Sequence, residues 1–234
     1  MSPPRLLVSA LRRTLLEPSA CPLPPPGAKH AAVLVPLFDA SCPPVRRLRC
    51  AALPLERQHA PEASTACAGG LGVLLTRRTR QLSTHGGEVA LPGGRIDGGE
   101  TPTQAALREA HEEVGLDPRA VSVVGLMKPM LSKHNVWVTP VVGYIEQAET
   151  FAPRPNPGEV ESVFWVELTS MLSTDGHTSD DIVIWEHTNL RIHSFDHAVD
   201  ASRVWPPPAS SPAERFRIWG LTSAILVLVA MWAH

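Results

Sequence analysis

The residues of this chain best suited to chemistry are three glutamates in one short segment, Glu109, Glu112 and Glu113. If the segment is helical, at about 100° per residue, their spacing places the three carboxylates on one side of the helix. Like charges this close repel one another and destabilise an isolated helix. Mg²⁺ offsets such repulsion, because it prefers carboxylate oxygens and binds alongside substrate phosphates. The spacing therefore indicates a metal site that acts on phosphate, and the alternative is a solvated acidic face.

The helix that must carry these glutamates has start and stop signals in the sequence. Thr101 is a candidate N-cap, Pro102 occupies the first helical position, and Gln104 completes a capping box. Gly115 suits the residue that ends a helix in the left-handed conformation. Together these signals predict a helix over residues 102–114 with its apolar face toward the core.

The segment from Gly94 to Leu116 resembles the nudix box, G-x5-E-x7-R-E-U-x-E-E-x-G-U, in which U is apolar. The fixed positions of the pattern are filled by Gly94, Glu100, Arg108, Glu109, Glu112, Glu113 and Gly115. A chance match of this quality has a frequency on the order of 10⁻⁹ per window, so coincidence is negligible. Ala110 is small for its apolar position, which we interpret as a minor repacking.

The resemblance to nudix hydrolases implies an α/β fold: an α/β/α sandwich with a mixed β-sheet and a catalytic loop-helix-loop at residues 94–116. It also implies Mg²⁺ or Mn²⁺ as the cofactor, with Glu109 and Glu113 as metal ligands. Glu112 is then a further ligand or a catalytic acid beside the ligands, and Arg108 orients a carboxylate, with Glu100 as a candidate partner. The metal would polarise the bridging phosphates and lower the pKa of the attacking water. The general base differs among family members and is left unassigned.

The residues just before the box narrow the resemblance to one subfamily. Residues 74–97 read LLTRRTRQLSTHGGEVALPGGRID, which is similar to the signature LLTxRSxxLxxHxGEVxFPGG of coenzyme A diphosphatases. Later segments, including 156–168 and 218–223, are also similar to that subfamily, and most of all to its peroxisomal member. This resemblance implies hydrolysis of coenzyme A, or its acyl derivatives, to 3′,5′-ADP and 4′-phosphopantetheine.

The signature also selects candidate residues outside the helix. Arg78 stands at the signature's arginine position and is expected to bind substrate phosphate, with solvent exposure as the alternative. His85 is expected near the substrate, and Glu88 is a candidate catalytic carboxylate that acts as a base or adds a metal ligand. Gly93 and Gly94 predict a close approach of the backbone to the substrate, with loop geometry alone as the alternative.

Composition limits the classes of partner. The net charge of −2 provides no basic field for nucleic acid, and aromatic residues are only 5% of the chain. The four cysteines form no C-x-x-C pair and predict free thiols. The apolar run Leu221–Trp232 has 12 residues, whereas a bilayer span needs about 20, so a buried helix is expected instead. The expected partner is a small-molecule substrate, with no nucleic acid and no membrane span, and the oligomeric state is left open.

The chain is expected to contain one main domain. Residues 1–28 predict an N-terminal helix and a proline-rich arm, and residues 29–234 a nudix hydrolase domain with a variable insert at 39–70. We expect the insert to be disordered, although its arginines suit attraction of an anionic substrate. Arg215–Ala230 is expected to form the last helix. The predicted strands are Ala31–Phe38, Gly72–Thr76, Val121–Gly125, Val136–Ile145 and Val163–Val166.

The sequence leaves two questions open, the role of residues 1–16 with the cellular location and the choice of function. Residues 1–16 are interpreted as an amphipathic helix, with a mitochondrial presequence as the alternative. An intracellular location is expected; the resemblance favours peroxisomes and the N-terminal arginines favour mitochondria, and neither is established. The rival functions are a nudix hydrolase of another nucleotide, such as ADP-ribose or a damaged nucleoside triphosphate, and a non-catalytic nudix binding module.

Overall fold

The computed structural model describes residues 3–44, 70–82, 85–184, 188–209 and 211–234 of the chain. Most of the expected insert at 39–70 therefore lies outside the described residues, as do Cys50 and Cys67. The thiols of Cys21 and Cys42 are free, as the sequence predicts.

The helices and strands follow one another along the chain, with short 3₁₀ turns between some of them. In chain order they are α1 (Pro3–Thr14), β1 (Lys29–Asp39), β2 (Leu71–Arg78), β3 (Val89–Ala90), β4 (Gly93–Arg95), α2 (Pro102–Val114), β5 (Val121–Leu126), β6 (Met130–Leu131), β7 (Val136–Ile145), β8 (Val160–Glu167), β9 (His177–Ile184), β10 (Thr188–Asp200), β11 (Val204–Trp205), β12 (Ala213–Trp219) and α3 (Gly220–Ala233). The 3₁₀ turns are Pro18–Ala20, Pro118–Ala120, Ala148–Thr150, Leu168–Leu172 and Ala201–Arg203.

A mixed β-sheet forms the centre of the fold. Its strands follow the order β11-β8-β2-β1-β7-β5, with β3 beside β2, β4 beside β1 and β6 beside β7. β1 and β7 are parallel, whereas β1 and β2 are antiparallel. Because side chains alternate along a strand, β1 sends Leu34 to the face covered by α2 and Val35 to the face covered by α1 and α3. This is the predicted α/β/α sandwich with a mixed sheet.

The edge of β1 positions the glycine-rich loop, which consists of β4 and the residues after it up to Gly99. β2 pairs with β1 only at Leu37–Asp39, and β4 pairs with β1 at Ala31–Val33. β7 occupies the opposite edge over Lys29–Leu37. β4 therefore continues along the edge that β2 leaves, and it places the first residues of the box against the middle of the sheet.

A second, antiparallel sheet of strands β12, β10 and β9 packs beside α3. The predicted helix over Arg215–Ala230 is wrong in its first part, because Ala213–Trp219 forms strand β12. Phe216 and Ile218 are buried there, between exposed arginines, so this stretch has the period of two that a strand requires.

The C-terminal helix α3 contains the apolar run, as predicted, and buries it against α1 and the sheets. No helix in the described part of the chain combines the length and apolarity needed to cross a membrane. The N-terminal helix α1 is amphipathic as expected, with Leu11 buried and Arg12 and Arg13 exposed.

Helix α2 begins and ends where its capping signals predict. The Thr101 hydroxyl accepts a hydrogen bond from the Gln104 N–H (3.3 Å), and the Gln104 side chain accepts one from the Thr101 N–H (2.9 Å). Gly115 has a φ of 73°, and its N–H donates to the His111 carbonyl. The buried face of α2 consists mostly of small side chains: Ala105, Ala106, Ala110 and Val114.

Removal of the cap is expected to weaken the fold measurably. Thr101→Ala should lower the free energy of unfolding by about 1 kcal/mol, because one orphan N–H at the helix start loses its acceptor. Thr101→Ser keeps the hydroxyl and should remain close to the wild type. Urea denaturation of the three proteins checks this, and equal midpoints for the alanine and serine variants would contradict it.

Candidate functional site

Among the residues that the structure describes, the carboxylates of Glu109, Glu113 and Glu159 converge beside α2. One oxygen from each lies within 4.8 Å of an oxygen from the other two. We call this group the carboxylate cluster. Glu109 and Glu113 lie one turn apart on α2, as the sequence predicts. Since carboxylate oxygens are the ligands that Mg²⁺ prefers, this set of donors fits a hard divalent cation.

Glu159 reaches the cluster because its loop docks on the end of α2. The N–H groups of Arg154 and Asn156 donate to the carbonyls of Val114 and Glu113, both at 2.9 Å. These carbonyls belong to the last turn, where a helix lacks internal partners. Glu159 is not predicted from the sequence. It lies in the stretch NPGEVESVF, which contributed to the resemblance, but no spacing connects it to the helix.

Glu113 is the buried member of the cluster, with 1% of its surface exposed. Its carboxylate accepts hydrogen bonds from the Gly93 N–H (3.1 Å) and from Nη1 of Arg78 (3.3 Å). Burial raises the pKa of Glu113 to about 7, although Arg78 and the Gly93 N–H act in the opposite direction. The neighbouring carboxylates of Glu109 and Glu159 raise this pKa further. The site therefore carries a negative charge that it compensates only in part.

Gly94 allows the glycine-rich loop to lie against Glu109. A Cβ at position 94 would come within 2.5 Å of the Glu109 carboxylate, so any larger residue here would displace that carboxylate. Burial also raises the pKa of Glu109, and the adjacent Arg108 opposes that shift. The glycines that the sequence singled out thus contact the two helical carboxylates of the cluster: Gly93 contacts Glu113, and Gly94 lies against Glu109.

Arg108 ties the loop before α2 to the helix. Its Nε and Nη2 donate to the two oxygens of Glu100 (2.7 and 3.1 Å), and Nη2 also donates to the Arg95 carbonyl. Its Nη1 donates to Glu109 (3.0 Å) and Glu112 (3.2 Å). The hydrogen bond from Arg108 is the main reason why the pKa of Glu100 is lowered. Arg108 thus contacts Glu109 of the carboxylate cluster and Glu100 of the loop before α2, and its role in orienting a carboxylate stays a prediction.

Glu112 lies outside the carboxylate cluster. Its side chain is 54% exposed and is paired with Arg108. The role of Glu112 as a metal ligand stays a prediction, whereas the geometry shows a direct contact with Arg108.

His85 and Glu88 form a hydrogen-bonded pair at the end of β2. His85 Nδ1 lies 2.6 Å from Glu88 Oε2. The His134 ring stands edge-on to the His85 ring, with their centroids 4.6 Å apart. The Arg78 N–H donates to the Glu88 carbonyl (3.0 Å), which brings this pair next to an arginine that contacts Glu113. The sequence indicated His85 and Glu88 separately and assigned no role to His134.

Comparisons with known proteins agree with this geometry. Residues 60–185 match the family model described as the NUDIX domain. The chain is 40% identical over 163 residues to "Nudix hydrolase 15, mitochondrial" from Arabidopsis thaliana, a match that covers 69% of this chain and 53% of the relative. It is 36% identical over 163 residues to the uncharacterized Nudix hydrolase NudL from Escherichia coli O6:H1, with 68% and 74% covered.

One solved structure among those similar to this chain is a Nudix hydrolase from M. smegmatis, RenU. It is 24% identical with a TM-score of 0.42, and the match covers 67% of this chain and 80% of that one. The chain spans about half the length of the Arabidopsis relatives that it matches.

The buried carboxylate predicts a specific dependence of stability on pH in metal-free protein. The folded pKa of Glu113 is about 7 and the ordinary value is 4.5, so the folded state binds a proton that the unfolded state releases between these values. The contribution of the Glu113 carboxyl to the free energy of unfolding is fully present below pH 4.5, and it is lost as the pH rises through 7. By the conversion of 1.36 kcal/mol per pKa unit, the loss approaches roughly 3 kcal/mol.

Glu113→Gln removes this dependence. The stability of the variant relative to the wild type should therefore rise by roughly 3 kcal/mol between pH 4.5 and pH 8.5. Denaturant unfolding with a chelator present at both pH values measures the difference. A relative stability that does not change with pH would contradict the account of Glu113.

Proposed function

The chain belongs to the Nudix family, and on that premise we propose that it is a metal-dependent hydrolase of the diphosphate bond of coenzyme A. The products would be 3′,5′-ADP and 4′-phosphopantetheine, or the acylated form of the latter from acyl-coenzyme A. One observation carries the proposal: residues of the coenzyme A signature contact the glutamates of the box. Arg78 and Gly93 bind Glu113, and Gly94 lies against Glu109.

The carboxylate cluster is the proposed site of Mg²⁺ or Mn²⁺. Glu109, Glu113 and Glu159 would hold the ion, because their carboxylates are close together and Glu113 is buried with only partial compensation of its charge. When bound, the ion polarises the diphosphate and lowers the pKa of the attacking water.

The remaining side chains would position these ligands and the substrate. Arg108 holds the Glu109 carboxylate and the loop before α2 in place. Glu112 is proposed to act through Arg108 rather than as a ligand, since its exposed carboxylate pairs with that guanidinium. Arg78 lies beside the cluster and would bind a phosphate oxygen of the substrate with the part of its guanidinium that Glu113 leaves free. Glu88 and His85 would act at the same site as one hydrogen-bonded unit.

The rival functions differ from this proposal in substrate or in class. A Nudix hydrolase of ADP-ribose or of a damaged nucleoside triphosphate would use the same cluster. A non-catalytic binding module would have no need for a buried carboxylate such as Glu113, whose pKa is raised to about 7.

Hydrolysis of coenzyme A by the purified protein tests the proposal. With Mn²⁺ present, the wild type should release 3′,5′-ADP from coenzyme A faster than it cleaves ADP-ribose at the same concentration. Glu113→Gln should reduce that release by more than about a hundredfold, because loss of a ligand exceeds the 10–100-fold effect of losing a ligand's partner. Cleavage of ADP-ribose alone would overturn the substrate assignment. Failure to cleave either compound would favour the binding module.

Two glycines of one loop provide a matched test of the site's geometry. Gly94→Ala should lower kcat by at least about tenfold, because its Cβ would come within 2.5 Å of the Glu109 carboxylate and displace it, and displacements near 1 Å cost about a hundredfold. Gly98→Ala should leave kcat unchanged, since nothing lies within 4 Å of its Cβ. Steady-state kinetics of both variants decides the matter, and equal activities would contradict the assigned contact.

A further inference from the structure

We propose that His85 is the proton acceptor for the attacking water and that Glu88 is the positioning residue that holds its imidazole. This inference rests on the proposed function and deepens it, because the box and the signature leave the general base unassigned. It also differs from the expectation drawn from the sequence, in which Glu88 carried the chemistry and His85 bound the substrate.

The hydrogen bond between the two side chains determines which ring nitrogen is available. Glu88 Oε2 lies 2.6 Å from His85 Nδ1, which is a short hydrogen bond to a carboxylate. The Glu88 carboxylate accepts a hydrogen bond from Nδ1–H. It thereby favours the tautomer in which Nδ1 carries the proton and Nε2 carries a lone pair. In the described part of the chain, His85 Nε2 makes no hydrogen bond, so this nitrogen is left to accept a proton.

The backbone holds the pair in a defined geometry. The Glu88 N–H donates to the His85 carbonyl (3.2 Å), and the Gly87 N–H donates to the Arg78 carbonyl (3.0 Å). His85 has a φ of 59°, a left-handed conformation that is uncommon for a residue with a side chain. Such conformations persist where the surrounding structure enforces them, and they are frequent at active sites. The turn therefore holds the His85 imidazole on a strained backbone conformation.

Arg78 connects the pair of His85 and Glu88 to the carboxylate cluster. Glu88 stands opposite Arg78, whose N–H donates to the Glu88 carbonyl. Arg78 in turn reaches Glu113 at 3.3 Å. The pair of His85 and Glu88 is therefore joined through Arg78 to the site where the diphosphate is proposed to bind.

His134 restricts the orientation of the imidazole. Its ring meets the ring of His85 at an interplanar angle of 83°, an edge-to-face arrangement that aromatic rings favour. It comes from the turn between β6 and β7, which is closed by a hydrogen bond from the Ser132 N–H to the Val136 carbonyl (2.8 Å). A loop distant in sequence thus supports the same side chain that Glu88 holds.

The other acidic groups near the cluster are already engaged. Glu109 and Glu113 are proposed ligands, and Glu112 is paired with Arg108. In the proposed step the water oxygen forms a bond to phosphorus, and the bond from phosphorus to the bridging oxygen breaks with its electron pair leaving on that oxygen. The proton from the water passes to His85 Nε2 and then to solvent, which restores the imidazole.

Replacement of His85, with chemical rescue, tests the inference in the whole 234-residue chain. His85→Gln should lower kcat for coenzyme A by about 10²–10⁴-fold, the usual contribution of a general base, with little change in KM. Added imidazole should restore part of the lost kcat. His111→Gln, which changes an exposed histidine on α2, should keep the activity of the wild type.

Glu88→Gln tests the positioning role. The amide can donate a proton to Nδ1 and would then select the tautomer with its proton on Nε2, so kcat should fall while KM and the affinity for Mn²⁺ stay unchanged. Added imidazole should have a weaker effect on this variant than on His85→Gln, because its site still contains a ring.

Three results would overturn the inference: wild-type kcat in His85→Gln, a change confined to KM, or a loss of kcat that imidazole leaves unaltered. The turnover of the wild type tests the proposed function, whereas the ratio of variant to wild-type turnover tests His85. The ratio is measured with whichever diphosphate the wild type cleaves, so the two ideas can fail separately.

Discussion

The central constraint in this structure is a carboxylate that is buried next to other carboxylates. Burial disfavours the charged form of Glu113, and its neighbours Glu109 and Glu159 disfavour it further. One guanidinium and one backbone N–H offset this only in part, so the pKa remains raised. A divalent cation would remove the conflict, because it supplies two positive charges where a hard ion prefers carboxylate oxygen. Without the ion, the fold is expected to hold this site at a cost in stability.

The rest of the fold can be understood as the support for that arrangement. Strand β4 presents the Gly93 N–H to Glu113, and the small side chains on the buried face of α2 pack against the sheet. The loop that contains Glu159 satisfies carbonyls at the end of α2 and is fixed there by them. Arg108 connects the two ends of the loop before the helix. Apart from that packing, each support is a hydrogen bond, whose strength depends on its angle as well as its distance.

The features that the sequence predicted are those encoded by local signals. The bounds of α2 follow from its caps, and strand Val136–Ile145 was predicted to the residue from its apolar run. Contacts between distant segments have no such signal, which is why Glu159 and His134 were missed. The helix predicted over Arg215–Ala230 is wrong in its first part, because an apolar helix follows directly after strand β12 and no break in the sequence separates the two.

The difference between local signals and distant contacts also explains how much of the candidate site could be predicted from the sequence. Glu109, Glu113 and Arg108 lie on one helix, so their proximity follows from its periodicity. Glu112 shares that periodicity, yet the structure separates it from the cluster, because the cluster forms on the side of α2 that the loop before β8 reaches. A helical spacing identifies which carboxylates are neighbours, and the docking of other loops decides which of them face a common point.

The central claim is that Glu159 joins Glu109 and Glu113 as a metal ligand, and calorimetric titration with Mn²⁺ tests it most directly. The wild type is compared with Glu159→Gln and Glu112→Gln, two variants that each remove one negative charge near the site. The account predicts that Glu159→Gln weakens Mn²⁺ binding by at least about tenfold and that Glu112→Gln binds like the wild type. Unaltered binding by Glu159→Gln together with lost binding by Glu112→Gln would contradict it.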